Sequence, residues 1–246
     1  MKSDKKKKVR RNAINIVGIS FLIAAVVLII FSRLFIVDIL ELKYVEFLDK
    51  LYEFQLIVAS LSDKWLIIVI IELLFILKSV IPIPLSFVFV ISGMVFPYSY
   101  AVLINAVGMA LLMTIKYYWG EKLGIGKLDR KWLNYEPIQK FLNTKYGKGL
   151  MLFLSRLIPW TPTNKVSQIY GTMDYPFDRY LLISLVGYTP KIFSYSIIGR
   201  NVYNPISLDF VAPFIFLLAI SGTALLILNA ILGMMGEMST SAADGK

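Results

Sequence analysis

The chain has 246 residues, 57% of them hydrophobic, and its 26 Lys and Arg against 16 Asp and Glu give a formal charge of +10. A mean hydropathy of +0.69 and uncharged runs longer than about 18 residues place it in the membrane class, with length for one membrane domain and short tails but not for a second, soluble domain. The absence of Cys and His excludes disulfides, thiolate nucleophiles, imidazole bases and metal or haem sites built on those ligands, so no cofactor and no metal are expected.

Seven Lys or Arg in residues 2–11 precede an uncharged run of 21 residues, 12–32. As a helix that run covers ~30 Å, the thickness of a hydrocarbon core. Phe31-Ser-Arg-Leu-Phe35 offers no small-residue cleavage site, so the run reads as an uncleaved first span (13–37) behind a basic cytoplasmic tail (1–12) rather than a signal peptide. Next, Leu40, Tyr44, Phe47, Leu51, Phe54 and Val58 fall in steps of four and three, with Glu41, Lys43, Glu46, Asp49, Lys50 and Glu53 opposite them. Residues 38–64 are therefore expected to form an amphipathic external segment.

The run 79–115 holds 37 uncharged residues, which as one helix would measure ~55 Å, too long for a single crossing. Ile81-Pro-Ile-Pro84 removes two amide donors, and Gly93 with Phe96-Pro97 makes a second break. Residues 65–97 thus read as a re-entrant helical hairpin with Pro82 and Pro84 at its tip, followed by a span over 98–118. A Pro-kinked helix that crosses fully is the alternative. Residues 119–149 carry seven Lys or Arg and three acids, which suits a cytoplasmic loop, with Trp132, Ile138 and Phe141 expected to anchor it at the interface. That side is reached only by an odd number of crossings, as a hairpin plus one span supplies.

A second hairpin over 150–177 contains Arg156-Leu-Ile-Pro159-Trp-Thr-Pro162-Thr-Asn164-Lys165, with Pro159, Pro162 and Asn164 at its tip. A span over 178–198 follows, with Lys191 just after Pro190. A last span, 210–236, has 27 uncharged residues and leads to a cytoplasmic tail, 237–246, whose end from Ser239 is expected to be disordered.

The two halves repeat. Ser79-Val-Ile-Pro82 aligns with Arg156-Leu-Ile-Pro159, and the steps from proline through successive glycines are 11, 15 and 12 (Gly93, Gly108, Gly120) against 12, 16 and 12 (Gly171, Gly187, Gly199). The first copy starts outside and the second inside, an inverted arrangement in which secondary transporters bring broken helices together near the midplane. The fold class expected is all-α and polytopic: an inverted repeat of two re-entrant hairpins, each followed by a transmembrane helix, with flanking N- and C-terminal transmembrane helices.

Ionisable groups at membrane depth need a partner or a wet pocket. Arg156 is the leading lipid-phosphate candidate, because its planar fork can hold a phosphate bidentately beside a helix end; the structural alternative is a snorkelling anchor. Lys165 and Lys191 are candidates for a second positive charge. Glu72, in the apolar run after Trp65, is either a proton-coupling group or the ion-pair partner of a cation, with Lys78 nearby. Asn164, Gln168 and Thr161 can satisfy broken backbone.

Ile-Pro-Ile-Pro84 with Gly93, then Phe-Leu-Ser-Arg156-Leu-Ile-Pro159 followed by Gly171, Gly187 and Ile-Gly199-Arg200, resemble the VTT domain of the DedA or SNARE-associated membrane family over roughly residues 65–200. The resemblance implies facing re-entrant hairpins and movement of phospholipids or polyprenyl phosphates, as by a scramblase or flippase. In the DedA branch an acid follows the first proline motif and a second arginine follows Arg-x-x-Pro by three; here Ser86 and Pro162 stand near and at those positions, which resembles the Tvp-type branch.

The expectation is an inner-membrane lipid transporter, not an enzyme, with both termini cytoplasmic, no nucleic-acid partner, and compatible with a homo-oligomer. Two other readings stand beside it: a membrane organiser that recruits partners through its basic loop, and a small-solute or proton-coupled ion transporter using Glu72.

Overall fold

The computed structural model describes residues 2–34, 49, 52–53, 63–123, 136–158, 161–173, 175–205 and 207–244, and every regular element among them is helical. In chain order these are α1 (Lys2–Leu34), α2 (Lys64–Lys78), α3 (Leu85–Val95), α4 (Tyr98–Leu123), α5 (Glu136–Leu142), α6 (Gly147–Leu157), α7 (Thr163–Thr172), α8 (Phe177–Arg200) and α9 (Leu208–Asp244). Most of the amphipathic segment expected over 38–64 lies outside the described residues, as do Trp132 and Pro159.

Among the described residues, four helices are long and apolar enough to cross a membrane: Asn12–Ile30, Tyr98–Leu123, Phe177–Arg200 and Leu208–Met235. Their exposed apolar side chains, such as Ile16, Ile19, Ile23, Val26 and Ile30 on α1, need lipid rather than water around them. The chain is a membrane protein, all-helical among its described residues, with four candidate spans.

Between these long helices the prolines set the breaks. Helix α2 starts with the Asp63 carboxylate accepting from the Trp65 amide at 2.9 Å and ends in a tight turn in which the Val80 and Ile81 amides both donate to the Leu77 carbonyl. Pro82 and Pro84, lacking amide hydrogens, prevent its continuation, and Pro84 is the N-cap of α3. Helix α6 ends similarly at Ile158, whose backbone is extended. There the Thr161 hydroxyl bonds the carbonyls of Ser155 and Ile158, the latter at 2.8 Å, which occupies acceptors that a broken helix leaves orphaned. Pro162 is then the N-cap of α7.

The chain forms two compact units: a first made of Met1–Ile23, Lys116–Tyr188 and Leu218–Lys246, and a second made of Ala24–Ile115 and Thr189–Leu217. The second contains α2, α3, the start of α4 and the end of α8. The first contains α6, α7, the start of α8 and the end of α4, together with α5.

Each unit is closed by backbone-to-backbone approach at glycines. In the second, a methyl at Gly93 of α3 would overlap the Ser196 carbonyl of α8, and one at Gly199 the Val90 carbonyl. In the first, a methyl at Gly171 of α7 would overlap the Tyr117 carbonyl of α4, and one at Gly120 the Gln168 carbonyl. Small residues permit such close helix crossings where lipid supplies no hydrophobic drive between helices. Gly108 likewise receives the ring of Phe75, and Gly187 the Cβ of Arg156.

Three local expectations change. Ile138 and Phe141 do not anchor a loop at an interface: with Leu142 they pack in the first unit's core against Met151, Leu154 and Leu157 of α6 and Ile231 and Leu232 of α9. Their 3–4 spacing gives α5 one apolar stripe, and that stripe is buried. Helix α4 continues to Leu123, beyond the span end expected at 118. Helix α9 runs on to Asp244 rather than giving way to a disordered end at Ser239, because no proline or glycine interrupts residues 239–244.

Candidate functional site

Arg156 sits in the last turn of α6, inside the first unit, and is 1% exposed, the largest of the fully buried side chains. Two stripes of hydroxyl residues surround it. On α7, Thr163 and Ser167 are four residues apart; on α8, Tyr180, Ser184 and Tyr188 recur at the same step, which puts each set on one helical face. The Arg156 Nε–H donates to Ser184 Oγ at 3.3 Å, Nη1–H to the Thr163 carbonyl at 3.3 Å, and Nη2–H to Ser167 Oγ at 3.0 Å and Tyr180 Oη at 3.2 Å. Its guanidinium carbon also lies 5.8 Å from the Tyr180 ring centre and 5.7 Å from that of Tyr188, within cation–π range. Thr163 and Tyr188 share a hydroxyl–hydroxyl hydrogen bond, and Ser167 donates to the Thr163 carbonyl at 2.9 Å.

Every one of these partners is electrically neutral. Among the described residues, no carboxylate pairs with Arg156. Removing a charge from water costs several kcal/mol even after relaxation. The oxygen contacts offset part of that, yet the cage as a whole keeps a net positive charge. Helix α7 starts beside it at Thr163 with no side-chain cap on its N-terminus, so its first amides add positive potential.

Beyond Tyr180 the wall of the cage is aromatic. The Tyr117 and Tyr180 rings are 4.8 Å apart, Tyr117 and Phe177 5.4 Å, and Tyr170 and Tyr180 6.2 Å. Tyr117 donates to the Tyr175 carbonyl and Tyr170 to the Lys148 carbonyl, both at 2.6 Å. This holds α4, α6, α7 and the start of α8 in a fixed register around the arginine.

The other sequence candidates are distributed between the units. Lys165 is exposed on the first turn of α7, and Asn164 is half-buried and engaged. The break residue Pro162 is exposed in the same unit. Lys191 is half-buried and engaged on α8 in the second unit, which also holds Glu72, Lys78, Pro82 and Pro84. Glu72 has its Oε2 atom enclosed without a hydrogen-bond partner among the described residues, whereas Lys78 is engaged.

At the positions that the repeat aligns with the arginine cage, the second unit is filled differently. Ser79 stands for Arg156 and is buried, and Ala101, Asn105 and Met109 stand for Tyr180, Ser184 and Tyr188. Asn105 donates to the Phe89 carbonyl at 3.3 Å and to Ser196 Oγ at 3.0 Å, and the Phe75 and Phe89 rings lie 5.8 Å apart. None of the four residues Ser79, Ala101, Asn105 and Met109, all buried, carries a charge.

Sequence reasoning did not single out Thr163, Ser167, Tyr180, Ser184 and Tyr188. Their four-residue spacing was the available signal. It also passed over Lys116, which ends the long uncharged run, is 5% exposed, and holds its ammonium 4.0 Å from the centre of the Trp119 ring.

Neither a curated protein nor a solved structure matches this chain. The family model described as the VTT domain matches residues 81–201, a stretch that takes in both proline breaks, the packing glycines, Arg156 and its hydroxyl cage. Residues 81–201 thus carry a VTT-domain match, consistent with the DedA/VTT family of membrane proteins.

Proposed function

We propose that the protein moves lipid headgroups across the bilayer, as a scramblase or flippase for phospholipids or polyprenyl phosphates, with Arg156 receiving the phosphate. The observation that carries this reading is a buried arginine balanced, among the described residues, by neutral oxygens and aromatic rings rather than by a carboxylate. A structural ion pair would have ended that charge with a carboxylate. A cage of hydroxyls keeps the charge available, and each hydroxyl that now accepts from Arg156 can turn and donate to a phosphate oxygen. The uncapped N-terminus of α7 favours the same anion, and exposed Lys165 adds charge on the approach. Because Arg156 is buried, a headgroup reaches it only when the cage opens.

The matched glycine contacts in the two units support an inverted repeat of two re-entrant hairpins. The basic N-terminal segment and the basic 119–149 connection support an inner membrane with cytoplasmic termini. Pro162, where a second arginine would otherwise stand, favours the Tvp-type branch. No nucleophile paired with a base stands in the cage, which supports transport rather than an enzymatic reaction.

Purified protein in liposomes with fluorescent phospholipid tests the reading. Arg156→Ala should slow translocation at least about tenfold, on the scale of a charged hydrogen-bond network worth ~1.5–3 kcal/mol, and Arg156→Lys should recover only part. Unchanged translocation by a correctly inserted Arg156→Ala protein would overturn it.

One observation favours a second reading, proton-coupled solute transport: the enclosed, unpartnered oxygen of Glu72. Transport that requires a pH gradient and fails in Glu72→Gln while surviving Arg156→Ala would select it.

A further inference from the structure

The second unit has an open groove of about 570 Å³ between the end of α8 and the start of α9, lined by Tyr98, Thr189, Phe193, Asp209, Pro213 and Phe216 among others. We propose that it is a binding site for a lipid with a primary-amine headgroup, the ammonium held at Asp209 and the upper part of one chain lying along Phe193, Pro213 and Phe216. The site belongs to the second unit and Arg156 to the first, and it does not depend on the function proposed for Arg156.

The volume falls within the roughly 300–1,000 Å³ of small-ligand sites, and the wall is almost wholly apolar. Phe193 and Phe216 are exposed on it, and Tyr98 packs edge-on to Phe193 at 5.7 Å. From Asp209 to Phe216, α9 rises ~10 Å, enough to shelter several methylenes. Asp209 lies one residue inside the apolar window Leu208–Met235, at the level where a spanning helix meets headgroups.

The charge at that end selects the headgroup. No Lys or Arg is among the described residues that line the groove, although the chain as a whole is strongly basic. Asp209 is exposed in the first turn of α9, where the helix dipole favours a negative charge. Ser207 Oγ accepts from the Phe210 amide at 3.2 Å and caps that turn. Four residues on from Asp209 is Pro213, inside the helix, and a proline has no amide hydrogen to give to the Asp209 carbonyl. One residue therefore presents both a carboxylate and a carbonyl that lacks its helical donor. Thr189 lines the same groove. A primary ammonium has three N–H donors to place on such acceptors; a quaternary ammonium has the charge but none of the donors.

The test is electron paramagnetic resonance of the full-length protein in vesicles containing phosphatidylethanolamine, phosphatidylcholine or phosphatidylglycerol, each spin-labelled on the acyl chain so that the headgroup is intact. Phosphatidylethanolamine should show a motionally restricted fraction favoured about three- to fivefold over phosphatidylcholine, the size expected of about one net hydrogen bond. Asp209→Asn should abolish that preference, and Asp209→Glu should retain it. Equal restriction of all three lipids, which is how a nonspecific annular lipid behaves, would overturn the proposal, as would a preference for phosphatidylglycerol or one that Asp209→Asn leaves unchanged.

Discussion

The Arg156 guanidinium donates to the Tyr180 hydroxyl at 3.2 Å and also lies 5.8 Å from the centre of the same ring. One tyrosine thus supplies two kinds of neutral compensation to a buried cation. The two can be separated. Tyr180→Phe keeps the ring and removes the acceptor, leaving one N–H of a buried charge unpaired at ~1–3 kcal/mol. The midpoint of thermal unfolding in detergent should fall by several degrees, and Tyr180→Leu, which also removes the ring, should lower it further. Equal midpoints for wild type and Tyr180→Phe would mean that the contact contributes nothing.

Repeat-related positions should respond unequally. Ser79→Ala removes one hydroxyl from a buried position and should change stability by less than about 1 kcal/mol, the scale of one neutral hydrogen bond. Arg156→Ala removes the centre of a cage with four donated hydrogen bonds and leaves Ser184, Ser167 and Tyr180 without their donor. The reciprocal change, Ser79→Arg, puts a cation into the unit where Phe75 and Phe89 pack, with no hydroxyl stripe to receive it, and should abolish expression of folded protein. Detergent-soluble yield and fluorescence-detected gel filtration of the three variants decide this; similar behaviour of Ser79→Arg and wild type would contradict it.

The glycine crossings give a matched pair of expectations. Gly93→Ala and Gly171→Ala each drive a methyl into a partner backbone carbonyl, of Ser196 and Tyr117 respectively. Backbone cannot swing aside as a flexible side chain can, so each should cost ~1–3 kcal/mol or more as an overpacking change. Gly149→Ala meets only the Tyr175 hydroxyl and the Ile183 methyl at 3.1 and 3.2 Å and should be milder. Melting midpoints of the three proteins in one detergent check the order.

The sequence made these features visible to different degrees. Long apolar stretches set the four spans, and the two proline breaks were readable because a proline removes a donor wherever it stands. Arg156 was conspicuous as a charge in an apolar stretch. Its cage was not, because Tyr180, Ser184 and Tyr188 become partners only through the register of α8 against α6, which depends on how Gly187 lets the arginine's Cβ approach. Ile138 and Phe141 misled for a similar reason: charged neighbours gave them an interfacial look, while tertiary packing buried them. Lys191 and Glu72 could not be separated from Arg156 by spacing alone, yet they belong to the other unit.

Glu72 offers the last expectation. It is half-buried on α2, and its Oε2 atom is enclosed with no hydrogen-bond partner among the described residues. An enclosed acidic oxygen without a donor is destabilising, by ~1–3 kcal/mol for an unsatisfied polar group. Glu72→Gln keeps the shape, removes the ionisable group and offers N–H donors in place of that oxygen; Glu72→Leu removes polarity altogether. If the residue serves no transport step, Leu should equal or exceed wild type in melting temperature while lipid translocation is unchanged. If it couples protons, both variants should insert normally yet lose any dependence of transport on an imposed pH gradient. Measuring translocation with and without the gradient, beside the melting temperature of the same preparations, separates a poorly satisfied structural carboxyl from a working one.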